Sequence, residues 1–124
     1  MRNDTCRVGG YEVTDFQFTE VTSAEGDAFN RADFSGILGL AWETISSYNV
    51  PVWYSAMVEQ NEGVTNAFSF YLSNNPTMPS YFIIGGEDDR FYDGKIRYHK
   101  LTHKLYWVLK GTGFKIDGES KIKK

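Results

Sequence analysis

The chain has 124 residues and a formal net charge of −3, with 41% hydrophobic and 16% aromatic residues. This length suits one small domain, and the slight acidity disfavours nucleic-acid binding, which normally shows as a basic stripe. The apolar runs are too short to span a membrane, and the single cysteine, Cys6, cannot form an internal disulfide.

The first stretch of the chain predicts a β-hairpin. Residues 5–8 and 11–19 alternate weakly between apolar and polar side chains, with Gly9 and Gly10 between them. Paired glycines between two such runs are typical of a tight hairpin turn. The residues that follow, 21–33, are mostly polar and predict a loop.

Residues 34–40 read F-S-G-I-L-G-L, an uncharged run of apolar residues and glycines. Such a run predicts a buried strand that leads into a tight turn. A glycine within a strand pattern usually marks a bend or the close approach of another backbone. On the residues alone, many β-proteins could contain this segment. Residues 41–48, which come next, predict a short helical turn.

The clearest helix is predicted at residues 50–60. Pro51 suits the first helical turn, where the missing N–H of proline costs nothing. Val52, Ala56 and Glu59 would then share one face of the helix, at helical spacing.

After the helix, which Gly63 is expected to end, the chain predicts mostly strands. Residues 67–73 and 81–84 are rich in apolar and aromatic side chains and flank a loop stiffened by Pro76 and Pro79, which predicts a hairpin. Three more short strands are predicted, at 95–98, 105–109 and 113–116. The predicted fold class is therefore all-β with one or two short helices.

The polar residues predict no metal site. His99 and His103 have a spacing that suits zinc on a helix, but the pattern around them is strand–turn–strand and offers no third ligand. The acidic run at 87–89 is typical of a solvated turn, and Asp93 and Asp117 each precede a glycine in a turn dipeptide. We therefore expect no metal and no cofactor.

Several short motifs occur together along the chain. Residues 34–42, F-S-G-I-L-G-L-A-W, resemble the F-D-G-I-L-G-L-[GA]-[WYF] segment of pepsin-like aspartic proteases. Further matches follow in the order and at the spacing of that family: P-V at 51–52, F-S-F-Y-L at 68–72, I-G-G at 84–86, Y-D-G at 92–94 and L-Y-W at 105–107. Residues 98–107 most resemble the plasmepsins, and the chain as a whole resembles the plasmepsin and cathepsin D-like members of the family. The resemblance covers residues 4–118 and corresponds to the middle segment of the family sequence.

This resemblance implies a partial pepsin-like (acid protease) fold. Residues 1–70 are expected to form the C-terminal part of the first-lobe β-barrel, and residues 71–124 the inter-lobe strands and the start of the second lobe. Ile37, Leu38 and Gly39 match the strand that passes beneath a catalytic loop in the family, where glycine lets two backbones cross closely.

The resemblance also implies candidate substrate contacts. Phe34 and Ile37 match positions that line the S1 and S3 pockets of the family, and Tyr106 matches a position on the primed side of the cleft. Phe29 lies in a loop that follows one cleft wall in the family, so it is either a cleft residue or an aromatic packed into the lobe. Ser35 replaces the usual family aspartate without breaking the strand pattern.

Catalysis in the family uses two carboxylates that share one proton, each in an Asp-[Thr/Ser]-Gly motif. Asp4 and Thr5 are followed by Cys6 and match a strand of the family instead. We expect both catalytic motifs to lie outside residues 1–124, so no catalytic residue is assigned. The chain is then a segment of a pepsin-like aspartic endopeptidase that is inactive alone. The alternative is a non-catalytic binding or structural module derived from the same fold.

The expected partners follow from this assignment. A peptide or protein substrate would bind once the catalytic segments complete the cleft, and exposed sheet edges would favour self-association or a partner. No nucleic acid and no membrane span are expected. Family members mostly work in secretory or acidic vacuolar compartments, and the resemblance implies such a location.

Overall fold

The computed structural model describes residues 1–23, 25–26 and 33–120. Within these residues, six strands pair into three two-stranded antiparallel sheets. The strands are β1 (Arg2–Val8), β2 (Tyr11–Phe18), β3 (Phe68–Tyr71), β4 (Tyr81–Ile84), β5 (Lys115–Ile116) and β6 (Glu119–Ser120). One helix, α1, spans Trp53–Gln60, and short 3-10 helices span Glu43–Ile45, Ser47–Asn49 and Asp89–Phe91.

β1 and β2 form the hairpin that the sequence predicts. The pairing starts next to the turn, with Val8 opposite Tyr11, and continues to the beginning of β1. Gly9 and Gly10 both adopt positive φ, 57° and 85°. This conformation matches the twist of a two-residue hairpin turn and strains other residue types, so the glycine pair determines where the chain reverses.

The helix begins at Trp53, later than its predicted start at residue 50. Pro51 restricts the residue before it to extended backbone, and Val50 has φ −86° and ψ 150°. Val52 is also extended, with φ −72° and ψ 152°. Pro51 therefore lies before the helix and not in its first turn.

The buried face of α1 also differs from the prediction. Its buried residues are Trp53, Tyr54, Ala56 and Met57. Ala56 was expected there, but Val52 lies outside the helix and Glu59 is exposed. Because a helix repeats every 3.6 residues, only one stripe of its side chains can face β2. The later start of α1 excludes Val52 from that stripe, and the stripe that packs on β2 contains Met57 and not Glu59.

The core forms where α1 packs on β2. Val13 and Met57 have no exposed surface, and Trp53 retains 1%. Burial raises the pKa of the Cys6 thiol, which lies on the neighbouring strand. The half-buried residues packed around this core are Cys6, Val8, Tyr11, Phe16, Leu40, Val58, Val64, Phe68, Phe82 and Ile84.

Two side-chain amides attach the C-terminal end of α1 to β2. The Gln60 amide accepts from the Thr14 N–H at 2.9 Å and donates to the Thr14 carbonyl at 3.1 Å. Asn61 Nδ2 donates to the Glu12 carbonyl, also at 3.1 Å. These bonds fix the position of the helix along the strand.

β3 and β4 form the second predicted hairpin, with Phe68 opposite Ile84. The Tyr54 hydroxyl connects this hairpin to the helix, because it donates to the Ala67 carbonyl and accepts from the Gly85 N–H at 3.2 Å. A single side chain of α1 therefore contacts the backbone at the ends of both strands.

Three predicted strands are absent from the described structure. Residues 34–40 form no strand and are mostly exposed, so the prediction of a buried strand there is wrong. Residues 95–98 and 105–109 are also irregular, apart from an isolated bridge between Lys104 and Trp107. A strand needs partners for its N–H and C=O groups, and the described backbone offers none to 34–40.

Replacement of Met57 by alanine tests the core. Because Met57 is fully buried, Met57→Ala should lower the free energy of unfolding by about 2–5 kcal/mol. Glu59→Ala, on the exposed side of the same helix, should change it by less than about 0.5 kcal/mol. Urea denaturation followed by tryptophan fluorescence measures both. Equal losses in the two variants would contradict the packing of α1.

A second prediction concerns Asp88, which caps the 3-10 helix at Asp89–Phe91. Its carboxylate accepts from the Arg90 side chain (Nε, 2.9 Å) and from the Arg90 N–H at 3.0 Å. These hydrogen bonds lower the pKa of Asp88 from 3.8 to about 2. Because the folded-state pKa is the lower one, the stabilisation from this pair is present above pH 3.8 and is lost as the pH falls toward 2.

Arg90→Gln removes the charged donor and should move the pKa of Asp88 up toward its ordinary value. An NMR titration of the side-chain carboxyl carbon measures this shift. Arg97→Gln, an equivalent substitution elsewhere, should leave the midpoint unchanged. An unchanged midpoint in Arg90→Gln would contradict the ion pair.

Candidate functional site

Two segments that are far apart in the sequence meet on one side of the core. We call this contact the tryptophan junction, and it consists of Leu40, Trp42, Thr44, Lys104, Leu105 and Trp107. The indole N–H of Trp107 donates to the Leu40 carbonyl at 2.9 Å. The backbone N–H of Trp42 donates to the Leu105 carbonyl at 3.2 Å. These bonds bring residues 40–44 alongside residues 104–107.

The side chains of the junction pack against each other and against the core. The rings of Trp42 and Trp107 lie 5.6 Å apart between centroids, and the Lys104 ammonium lies 5.4 Å from the centre of the Trp42 ring. Phe68 contacts Trp107 edge to face at 5.4 Å and Tyr54 at 4.9 Å. The junction is therefore continuous with α1 and β3 through aromatic contacts.

An open cavity of about 430 Å³ lies next to the junction. Trp42 lines it, and the Trp42 indole Nε1 is buried without a hydrogen-bond partner among the described residues. A buried donor without an acceptor is unfavourable until an acceptor reaches it. The lining residues are Leu40, Ala41, Trp42, Val52, Tyr54, Ser55, Asn66, Ala67, Phe68, Tyr98 and Trp107.

Two of the candidate substrate contacts, Ile37 and Tyr106, are close in sequence to residues of this junction. Phe34 is 54% exposed, Ile37 77% and Tyr106 63%. Ile37 precedes Leu40 by three residues and Tyr106 precedes Trp107 directly, so the Trp107–Leu40 hydrogen bond brings their two segments together. Phe29, the fourth candidate, lies outside the described residues.

The candidate strand at Ile37, Leu38 and Gly39 is not covered by other parts of the described chain. Leu38 is 40% exposed, and a Cβ built on Gly39 would meet no atom within 4 Å. No second backbone therefore crosses Gly39 closely within the described residues.

Sequence reasoning did not identify the cavity or the junction. Trp42 and Trp107 were noted as the ends of two family motifs, but their contact joins residues too far apart for a local pattern to predict. The one feature of the sequence that could have indicated this contact is that both motifs end in a tryptophan. Tyr98 and Phe68, which also line the cavity, gave no such signal.

The described residues, 1–23, 25–26 and 33–120, contain neither a metal-binding cluster nor a helix that could span a membrane. No group of three or more histidine, cysteine, aspartate or glutamate side chains there is arranged to hold a metal ion. No helix in those ranges has the length and apolar character needed to cross a membrane.

Comparisons with known proteins identify the family. The family model described as eukaryotic aspartyl protease matches residues 1–124. Cathepsin D of Clupea harengus is 36% identical over 121 residues, and cathepsin D of Dictyostelium discoideum is 38% identical over 118 residues. These alignments cover 96% and 94% of this chain and 31% of each relative. Plasmepsin I of Plasmodium falciparum is 38% identical over 94 residues, which are 74% of this chain and 21% of the relative.

The chain thus spans about a third of the length of the two cathepsin D relatives that it matches. The resemblance seen in the motifs is confirmed by the match along the whole sequence. The mostly β architecture with one short α-helix is consistent with a partial pepsin-like fold. The chain belongs to the eukaryotic aspartyl protease family.

Proposed function

We propose that this chain is a segment of a pepsin-like aspartic endopeptidase that hydrolyses peptide bonds, and that it supplies part of the substrate cleft but neither catalytic carboxylate. The family match over residues 1–124 carries the proposal. The exposed apolar residues at 34–40 support it, because contiguous apolar surface usually marks a region that another segment or a ligand covers.

The chemistry of the family explains why the chain would be inactive alone. Two carboxylates must lie within hydrogen-bond distance and share one proton, so that one activates a water molecule and the other protonates the substrate. No Asp-[Thr/Ser]-Gly sequence occurs in residues 1–124. The Asp88 carboxylate accepts hydrogen bonds from the side chain and the backbone N–H of Arg90, so it is paired with a cation and not with a second carboxylate.

The proposed roles follow the family positions. Phe34, Ile37 and Tyr106 would contact substrate side chains, and their exposure leaves them available for this. Phe29 would lie along the same cleft. In the completed enzyme, residues 37–39 would form the strand beneath a catalytic loop supplied from outside these residues, and the free space around Gly39 would admit that loop.

The two-lobe division remains part of this proposal. Residues 1–70 would belong to the first lobe and residues 71–124 to the connection and the second lobe. The boundary falls within β3, so the β3–β4 hairpin would be the element through which the first part meets the second.

A non-catalytic module is the second candidate. It is favoured by the closed core around Val13, Trp53 and Met57, which is formed entirely within this chain. A module of this kind would keep its fold without catalytic segments and would gain no peptidase activity from them.

A chimera distinguishes the two candidates. This chain would replace the matching segment of Clupea harengus cathepsin D, and hydrolysis of fluorescein-labelled casein would be measured at acidic pH. We expect the chimera to cleave casein and the 124-residue chain alone to release no fluorescence. The control is the same chimera with both catalytic aspartates changed to asparagine. A chimera that unfolds cooperatively but does not cleave casein would refute the peptidase assignment.

Gly39→Val tests the proposed strand beneath the catalytic loop. In the isolated chain a Cβ at this position meets nothing, so the melting temperature should change little. In the chimera the branched side chain should block the crossing backbone and reduce kcat/KM by at least about 100-fold, which corresponds to roughly 2.7 kcal/mol. Gly111→Val is the control, since a Cβ at Gly111 also meets no atom within 4 Å. Normal activity of the Gly39→Val chimera would contradict the placement of this strand.

A further inference from the structure

The charges of this chain are strongly separated along the sequence. Residues 1–94 contain four Lys/Arg and 14 Asp/Glu, a net charge of −10. Residues 95–124 contain nine Lys/Arg and two Asp/Glu, a net charge of +7, which accounts for the total of −3. The small net charge of the whole chain therefore conceals an acidic part and a basic part.

The basic charges are densest at residues 95–110, which we call the basic segment. It contains Lys95, Arg97, Lys100, Lys104 and Lys110, together with two histidines and no acidic residue. All five cationic side chains belong to exposed residues. The ion pairs recorded among the described residues lie elsewhere, at residues 2–20 and 88–90. The cations of the basic segment therefore belong to exposed residues without carboxylate partners in the described part of the chain, and one of them, Lys104, also lies over the Trp42 ring.

At the start of the basic segment, residues 95–100, the backbone could also form hydrogen bonds with a bound peptide. Residues 95–100 belong to no helix or strand, and no backbone–backbone hydrogen bond joins them to other described residues. Exposed aromatic side chains alternate with the charges, since Tyr98 is 79% exposed and Tyr106 63%. Free N–H and C=O groups, cations and aromatic faces together suit the binding of an extended polypeptide.

The basic segment borders the proposed cleft. Lys104 and Trp107 belong to the tryptophan junction, and Tyr98 and Trp107 line the adjacent cavity. Tyr106, the candidate primed-side contact, lies between Lys104 and Lys110 in the sequence. A substrate that reached Tyr106 would therefore contact a part of the chain whose sequence is rich in cations.

An acidic turn at residues 87–89 precedes the basic segment in the sequence. The pKa of the Tyr92 hydroxyl is raised above its ordinary value. The largest cause is partial burial, the next are the negative charges of Glu87 and Asp89, and Tyr98 contributes to the same effect. The acidic turn and the start of the basic segment therefore influence the same tyrosine.

We propose that the basic segment binds acidic peptide sequence, and that in the proposed endopeptidase it selects substrates with Asp or Glu on the carboxyl side of the cleaved bond. The substrate preference rests on the proposed function, whereas the binding of acidic peptide does not. Carboxylates attract exposed cations over several ångströms, and this attraction is screened by salt. Several such pairs along one peptide add to each other, although each exposed pair is weak.

Fluorescence anisotropy of the 124-residue chain tests the binding. The probes are a rhodamine-labelled eight-residue peptide rich in Glu and Asp and the same peptide with Gln and Asn at those positions. We expect the acidic peptide to bind at least about tenfold more tightly at 50 mM NaCl and to lose most of this advantage at 500 mM NaCl, because salt screens exposed charges. Equal binding of the two peptides at low salt would overturn the proposal.

A matched pair of variants locates the surface. Lys100→Glu and Lys115→Glu change the net charge equally, and both lysines are exposed. Lys100→Glu should weaken binding of the acidic peptide by about fivefold and Lys115→Glu by less than about twofold, since reversal of one exposed charge removes one weak attraction and adds a repulsion. Equal effects would indicate that net charge alone drives binding and would overturn the assignment to residues 95–110.

The chimera then separates this inference from the proposed function. Two fluorogenic substrates would differ only in three residues after the cleaved bond, either acidic or amide. We expect kcat/KM to be at least about fivefold higher for the acidic substrate, through KM, and Lys100→Glu to remove the difference. Equal cleavage of both substrates would refute the preference and leave the peptidase assignment intact. Cleavage of neither would refute the peptidase assignment and the preference together, and anisotropy would still decide the binding.

Discussion

α1 lies across β2 with Val13, Trp53 and Met57 between them, and the rest of the chain depends on this contact. Burial of side chains such as Val13 and Met57 contributes about 1.5–3 kcal/mol each. A lone two-stranded hairpin is marginally stable in water, so β1–β2 needs the helix as a cover. The Tyr54 hydroxyl extends the same support to β3–β4, because it bonds to the backbone at the ends of both strands.

The candidate site depends on a different kind of contact. The tryptophan junction joins residues 40–44 to residues 104–107 through backbone carbonyls and two indole rings. It places an exposed apolar segment beside a basic one, while most acidic charge lies in the first 94 residues. In the proposed endopeptidase, this part of the chain would form a cleft wall that is both apolar and basic. Shape and charge at this wall would act together on a substrate.

The local features of the fold could be predicted from the sequence. Gly9 and Gly10 indicate the first hairpin and the proline-containing loop indicates the second, because turn geometry depends on a few adjacent residues. The helix was expected from Pro51 and from the helical spacing of apolar residues. Its buried face was predicted only in part. Glu59 was predicted on that face and Met57 was not, since the face depends on where the helix begins and on which strand lies beneath it.

The sequence by itself determined the family, through motifs such as F-S-G-I-L-G-L-A-W, and it indicated Phe34, Ile37 and Tyr106 as candidate contacts. It could not decide whether residues 34–40 form a strand, because a strand requires hydrogen-bond partners from distant residues. Only the tertiary structure showed that Trp107 binds the Leu40 carbonyl and that Lys104 lies over Trp42. Such contacts join residues more than 60 positions apart, and no local pattern of side chains specifies them.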